Sequence, residues 1–374
     1  MHSQLQLFVS CAPGLQTLLA AEIAALGYTE LSVEPGGVSC TGDITALMRL
    51  NLHCALGSHV LLRVGAFEAR HFSALVKRAA CLGWETLLPP NIGWTVRATC
   101  RRSKLYHSNA VAQRVDTAIA ESLGHASPEG DDPIAIAVRM DRDHCVISLD
   151  TSGQPLHRRG WRKQTAKAPM REDLAHALVV ASGWDTRTPL IDPFAGSGTL
   201  VIEAACLARR LAPGRLRAFA FERTHLMDAT LWNELREAAA SQAKPNAPKL
   251  VGRDREGGAL RAAQGNATRA GVENDIEWVH ADLAREPLPP LADATLVTNP
   301  PYGHRVAGAA AAHAALTARL PESAVTRVAL VAPTEATTKL PGVALRKSLM
   351  TDHGGTKVNF LVGERRGARK NGPE

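Results

Sequence analysis

The residues with the most chemical content stand together at Asn299-Pro300-Pro301-Tyr302, followed by Gly303. The Asn299 side-chain oxygen and the Pro300 carbonyl are two acceptors on a rigid edge, because consecutive prolines fix φ and carry no backbone N–H. Such an edge suits an amino group on a heterocycle, whose lone pair is delocalised into the ring. Holding both its N–H bonds lets the nitrogen pyramidalise, and a lone pair aimed at a sulfonium methyl can displace it in line. Tyr302 could stack on a base drawn from its helix. Elsewhere the same tetrapeptide is a tight proline-rich strand exit with a packing tyrosine, so its meaning depends on its surroundings.

A second group of residues suits the methyl donor. Asp192-Pro193-Phe194-Ala195-Gly196-Ser197-Gly198-Thr199 follows the apolar run Pro189-Leu190-Ile191 and opens the helical run Leu200-Val201-Ile202-Glu203-Ala204-Ala205. Glycines let the backbone turn sharply and let a ligand approach it, while the helix start presents unpaired amides. An aspartate at the strand end can accept from the ammonium of a bound amino acid. Asp254 follows the strand-like Lys249-Leu250-Val251, where an acid commonly grips ribose hydroxyls, and Asp282 follows Ile276-Glu277-Trp278-Val279, where it can receive an adenine amino group. Each acid alone is an ordinary helix cap or surface charge; three at successive strand ends make one rim. A nicotinamide site is disfavoured: Thr199-Leu200-Val201 supplies no third glycine, and Asp254 lies far beyond the roughly 20-residue spacing of the dinucleotide fingerprint.

To bring these residues together, the chain must place several strand ends side by side. From Pro189 onward the pattern is strand, turn, helix, with further strands at Ala294-Thr295-Leu296-Val297-Thr298 and Arg327-Val328-Ala329-Leu330-Val331, which predicts a mostly parallel sheet covered on both faces. Before about Asp150, short strand-like runs (Leu5 to Val9, Val60 to Val64, Thr95 to Thr99, Ile134 to Val138) mix with helices over Leu15–Leu26 and Ser108–Leu123. That half reads as α+β, with small sheets and helices on one face. Residues 127–133 read as an exposed loop. Gly153 to Pro169 reads as a hinge whose basic run, Arg158, Arg159, Arg162, Lys163 and Lys167, suits a solvated linker or a phosphate contact.

The 374 residues allow two or three domains, and the net charge of +7 favours polyanionic partners without proving one. No secretory signal opens the chain and no apolar run is long enough to span a bilayer, so the cytoplasm is expected. Seven scattered cysteines lack zinc-ligand spacing; no metal is expected.

With its Asp192–Thr199 and Asn299–Gly303 motifs, the chain resembles the THUMP-containing class I RNA methyltransferases, and within them the bacterial enzymes that make N2-methylguanosine in 23S ribosomal RNA. The likeness extends through Leu149-Asp150-Thr151-Ser152-Gly153, Leu156-His157-Arg158-Arg159-Gly160-Trp161-Arg162, Ala168-Pro169-Met170-Arg171-Glu172 and the early Gly36-Gly37-Val38 with Gly42-Asp43. It implies an α/β fold: an N-terminal α+β ferredoxin-like part (1–55), a THUMP RNA-binding domain (56–155), a linker (156–168) and a Rossmann-like class I methyltransferase domain (169–374) with a mostly parallel seven-stranded sheet. The implied cofactor is S-adenosylmethionine. Asp192, Phe194, Ala195, Gly196, Gly198 and Thr199 would line its methionine portion, Asp254 its ribose and Asp282 its adenine. Pro169 and Asn299 would also border the cofactor, and Asn299, Pro300, Pro301 and Tyr302 would hold the target amine. RNA, as 23S rRNA or a ribosome assembly intermediate, would be gripped by Arg158, Arg159, Arg162 and Lys163, with Arg101, Arg102 and Lys104 as a second patch. A basic insertion between Ala205 and Lys249 explains the distance to Asp254. A chain ending at Glu374 leaves no room for the second methyltransferase domain of some members, which predicts one activity. The loop itself leaves open an adenine-N6 methyltransferase on DNA or RNA, a tRNA guanosine-N2 methyltransferase, or an RNA-binding module without catalysis.

Overall fold

The computed structural model describes residues 4–163, 170–302 and 308–365. The chain divides into two units, one of Met1–Cys11, Leu19–Leu156 and Arg217–Glu237, the other of Ala12–Leu18, His157–Leu216 and Ala238–Glu374.

In the first half of the chain the elements are β1 (Leu5–Cys11), α1 (Gln16–Ala25), β2 (Leu31–Glu34), β3 (Gly37–Gly42), α2 (Ile44–His53), β4 (Gly57–Glu68), α3 (Phe72–Ala80), β5 (Trp94–Arg101), α4 (Ser108–Leu123), β6 (Ile134–Asp141) and β7 (His144–Asp150). The strands form one seven-stranded sheet in the order β2-β3-β1-β4-β7-β6-β5, where small separate sheets were expected. The long β4 is the reason. Its first half pairs with β1 and its second half continues along β7, so the two sets of strands cannot close independently. The sheet is one-sided: Ile134, Ile136, Val138 and Met140 of β6 are buried, while Arg139 points to solvent. Leu19 and Ile23 of α1, Leu47 and Leu50 of α2, Leu75 and Ala79 of α3, and Val111, Val115 and Ile119 of α4 are likewise buried.

The basic insertion does not form a solvated charge run. Its stretch Arg217–Glu237 belongs to the first unit, where Arg217 donates to the Pro155 and Ser152 carbonyls at 2.6 and 2.9 Å and Phe221 N donates to Thr151 O at 3.0 Å. Phe219, Phe221 and Trp232 form an aromatic cluster there, with ring centroids 5.1–5.8 Å apart.

The remaining elements are α5 (Glu172–Ala181), β8 (Leu190–Asp192), α6 (Thr199–Ala208), α7 (Ala229–Ser241), β9 (Leu250–Asp254), α8 (Gly257–Ala270), β10 (Ile276–His280), β11 (Ala294–Thr298), α9 (Ala309–Arg319), β12 (Val325–Pro333), β13 (Arg346–His353) and β14 (Thr356–Glu364). A second seven-stranded sheet runs β10-β9-β8-β11-β12-β14-β13, parallel through β12 and antiparallel in the closing β13–β14 hairpin. Ile191, Val251, Leu296, Val328 and Leu330 of its strands share a core with Leu316 and Leu320.

Residues 157–163 depart from the expected solvated linker. Arg158 and Lys163 are exposed, but Arg159 is only 2% exposed and its Nε lies 3.4 Å from Glu203 Oε1 of α6. Glu203 Oε2 meets His176 Nδ1 of α5 at 3.2 Å, and Arg162 Nε lies 3.1 Å from Glu172 Oε1. The expectation that Arg159 and Arg162 face RNA is corrected accordingly: acids supplied from α5 and α6 draw both guanidinium groups inward. Burial pushes the Glu203 carboxyl up, but Arg159 and His176 outweigh it and hold the group below its ordinary range. A lowered carboxyl contributes stability above its unfolded pKa and loses it as pH falls through the folded value. Glu203→Ala should therefore cost about 3–5 kcal/mol in urea unfolding at neutral pH, with the difference from wild type narrowing in acid as the wild-type carboxyl protonates.

Candidate active site

Four parallel strands end side by side in the order β10-β9-β8-β11, and each delivers one of the singled-out residues at its carboxyl end. Asp192 closes β8, Asp254 closes β9, Asp282 stands two residues after β10, and Asn299 follows β11 directly. The chain leaves β8 toward β9 and β10, then returns to the other side of β8 as β11. Ligands of open α/β sheets bind at such a switch, outside the strand ends.

Asp192 is 1% exposed and accepts from Thr298 Oγ1 at 2.6 Å and from Phe194 N at 3.0 Å. Burial pushes its carboxyl up to about 7 against the pull of those two donors, and Asp254 adds to the rise. Asp254 is half-buried: its Oδ2 accepts from Gly196 N at 2.8 Å and its Oδ1 from Glu256 N at 2.9 Å, which ties the glycine turn to β9. Asp282, also half-buried, caps its own turn by accepting from Ala284 N at 3.0 Å. Carboxylate oxygens have further lone pairs, so none of these bonds exhausts the acids as acceptors.

The two glycines of the turn serve different ends. Gly196 has φ +53 and open space beside its Cα, whereas a Cβ on Gly198 (φ +86) would lie 2.7 Å from the Trp278 ring. Gly252 is constrained by the same indole, which a Cβ there would meet at 2.4 Å. Close approach at Gly198 is thus explained by Trp278 of β10, and room for a ligand is found at Gly196. Phe194 is half-buried, and buried Ala195 donates its N–H to Arg253 O at 2.8 Å. Thr199 accepts from Arg162 Nη2 at 3.0 Å, and the same guanidinium reaches Met170 O at 2.6 Å. Arg162 thereby fixes the start of α6.

In the Asn299–Tyr302 loop, Asn299 Oδ1 is buried and has no hydrogen-bond partner among the described residues. An unsatisfied buried acceptor is costly, and one beside these strand ends suits a ligand that brings its own N–H. Pro300 and Pro301 are half-buried. Tyr302, expected as a free stacking face, shares a hydrogen bond through its hydroxyl with Nδ1 of His353, at the end of β13. Burial pushes the Tyr302 phenol up to about 12, so it keeps its proton. Thr298, Trp278 and His353 were not singled out from the sequence, and Arg162 was singled out for RNA rather than for this site; His353 is delivered by the β13–β14 hairpin, which carried no local signal. Pro169 and Gly303 lie outside the described residues. Arg101, Arg102 and Lys104 are exposed and belong to the first unit. Among the described residues, no group of three or more His, Cys, Asp or Glu could hold a metal ion, and no helix is long and apolar enough to cross a membrane.

The RMKL-like methyltransferase domain matches residues 159–340, and the RlmL ferredoxin-like domain matches residues 6–61. Over 307 residues the chain is 32% identical to a protein of Synechocystis sp. (strain PCC 6803) provisionally named an RNA methyltransferase, slr0064, a match covering 80% of each chain. The chain belongs to the RMKL-like methyltransferase family. A further relative, the ribosomal RNA large subunit methyltransferase K/L of Syntrophotalea carbinolica, is 34% identical over 329 residues, which take up 82% of this chain but 45% of that protein. The chain thus spans about half the length of that relative. Among solved structures, SMU.472, provisionally a methyltransferase and complexed with SAH, superposes with a TM-score of 0.88 at 27% identity, covering 97% of this chain and 98% of that one. A protein of Listeria monocytogenes, designated by prediction an N6-adenine-specific DNA methylase, superposes with a TM-score of 0.85 at 27% identity, covering 96% of each. The domain matched at 159–340 encloses Asp192, Asp254, Asp282 and Asn299–Tyr302.

The buried acid at β8 yields a sign-specific expectation. Its native carboxyl holds a proton that the unfolded chain releases from its ordinary 3.8, so stability falls as pH rises through the window from 3.8 to about 7. Asp192→Asn keeps the acceptor for Thr298 and Phe194 while removing the charge. Without ligand, it should raise the melting temperature by several degrees near pH 8 and change it little near pH 4, as followed by thermal melts at the two pH values.

Proposed function

We propose that this member of the family is an S-adenosylmethionine-dependent RNA methyltransferase that methylates the exocyclic N2 amine of a guanosine, in 23S rRNA or a ribosome assembly intermediate. The observation that carries the reading is the buried Asn299 Oδ1, without a hydrogen-bond partner among the described residues and on the strand next to that of Asp192. Family membership, the names of the two RNA methyltransferase relatives and the SAH in SMU.472 support it.

Asp192 and Asp254 form an anionic pair suited to a cofactor carrying ammonium and sulfonium charge. Asp192, Phe194, Ala195, Gly196, Gly198 and Thr199 would hold the methionine portion, with Asp254 on the ribose and Asp282 on the adenine. Bound, the cofactor supplies an electrophilic methyl carbon on sulfur. Asn299 Oδ1 and the Pro300 carbonyl accept the two N–H bonds of the target amine and turn its lone pair toward that carbon. Pro301 stiffens the loop. Tyr302, oriented by His353, presents its ring to the base. The segment proposed as the THUMP domain (56–155), which follows the ferredoxin-like part (1–55), grips RNA, and exposed Arg158 and Lys163 add phosphate contacts from the joining segment (156–168). No step requires a metal.

The Listeria relative's designation favours a second reading, adenine N6, since the loop suits any ring-conjugated amine. Incubation with labelled S-adenosylmethionine and unmodified 23S rRNA, transfer RNA or DNA, followed by digestion to nucleosides, should give label in N2-methylguanosine from 23S rRNA; label in N6-methyladenine would move the assignment to the second reading. Asn299→Ala should lower turnover by about a hundredfold or more, with cofactor affinity by calorimetry within about twofold of wild type. Retained turnover would remove Asn299 from the mechanism.

A further inference from the structure

The loop between β5 and α4 combines features that the fold does not consume. Tyr106 is 67% exposed, the largest exposure among the big apolar side chains of the described residues. Its ring lies against that of His107, centroids 4.0 Å apart and planes inclined by 40°. Just before it stand Arg101, Arg102 and Lys104, all exposed, whose side chains make no ion pair among the described residues.

Neighbouring cations show the contrast. Arg139 and Arg142 both approach Asp141, at 3.8 and 4.0 Å, and Arg70 takes Asp143 at 3.4 Å. Arg101, Arg102 and Lys104 form no ion pair within 4.0 Å among the described residues, and with Arg70, Arg139 and Arg142 they outnumber Asp141 and Asp143, so the potential around the tyrosine is positive.

The loop is also built rather than loose. Lys104 N donates to Asp143 Oδ1 at 2.7 Å, Asp143 N donates to Ser103 Oγ at 3.0 Å, and Ser103 Oγ donates to Arg101 O at 2.8 Å. Leu105 anchors it from within at 6% exposure, and Arg102 is held at φ +46, a left-handed conformation that side chains other than glycine rarely adopt. Such strain persists where the surroundings fix it and is concentrated at ligand clamps. Asp143 does the fixing, from a two-residue turn in which both Arg142 (φ +52) and Asp143 (φ +65) are left-handed.

We infer that Tyr106, backed by His107 and flanked by Arg101, Arg102 and Lys104, is a stacking platform for an unpaired base of single-stranded RNA. The inference rests on the RNA reading above and adds to it the class of RNA feature this loop takes. An aromatic face gives stacking that every base can use, and the cations track the phosphates on either side. An exposed tyrosine without cations would suit a protein partner as well; an excess of positive charge favours the polyanion.

The test uses the full chain and two fluorescein-labelled strands of equal length, an oligouridylate and its abasic ribose-phosphate counterpart, followed by anisotropy. Wild type should bind the oligouridylate more tightly, by about tenfold for one stacked base. Tyr106→Ala should abolish that preference, Tyr106→Phe should keep it, and neither should alter binding of the abasic strand. The double variant R101Q/R102Q should weaken both strands equally and reduce the slope of log affinity against log salt by about 1.4. Retention of the preference in Tyr106→Ala, its loss in Tyr106→Phe, or its absence from wild type would overturn the platform. Methylation of 23S rRNA by wild type, assayed separately, tells that failure apart from failure of the RNA reading, which would leave wild type inactive on any RNA.

Discussion

A single hydrogen bond, from Thr298 Oγ1 to Asp192 Oδ1 at 2.6 Å, spans the point where the second sheet changes direction. One strand carries the acid of the glycine turn and the next carries the Asn299–Tyr302 loop, since Asn299 follows Thr298 in the chain. The bond therefore fixes the two halves of the site to each other within the sheet. It also explains how a carboxyl that is 1% exposed survives: two donors satisfy it, while burial pushes its titration to about 7. A carboxyl so placed is costly to ionise, because burial disfavours its charged form.

The basic character of the chain has a different meaning from the one its sum suggests. Arg159 and Arg162 are paired with Glu203 and Glu172, Arg217 ties carbonyls of residues 152–155, and Arg209 pairs with Asp275 at 3.1 Å. Arginine suits this work because a planar fork of donors can satisfy several buried acceptors at once. The charge left for a polyanion is what remains unpaired, and in the first unit it includes Arg101, Arg102 and Lys104 on the loop before α4. Charge counted along the sequence overstates the surface available to a polyanion, because paired guanidinium groups are already spent.

Reading motifs in context proved sound for the second sheet because its signals are local. A short apolar strand, a glycine turn and a helix recur, and the acid at each strand end is covalently fixed to the strand that presents it. The first sheet was legible only in fragments. Its strands are joined by pairing over long separations, as when β4 meets β1 along one half and β7 along the other, and no local pattern encodes which strands are neighbours.

The sequence by itself determined the α/β character of the second unit, its five parallel strands, and the places of Asn299–Tyr302 and of the three acids along them, because residue type and position along one strand suffice for these. Tertiary structure decided the rest. It turned the expected solvated linker into a buried ion-pair segment by bringing Glu172 and Glu203 to it, assigned Arg217–Glu237 to the first unit, and gave Gly198 to Trp278 rather than to open space. It also brought His353 from the final hairpin to Tyr302. Each of these is a contact between residues far apart in the chain, and local propensity has no term for a partner that only folding supplies.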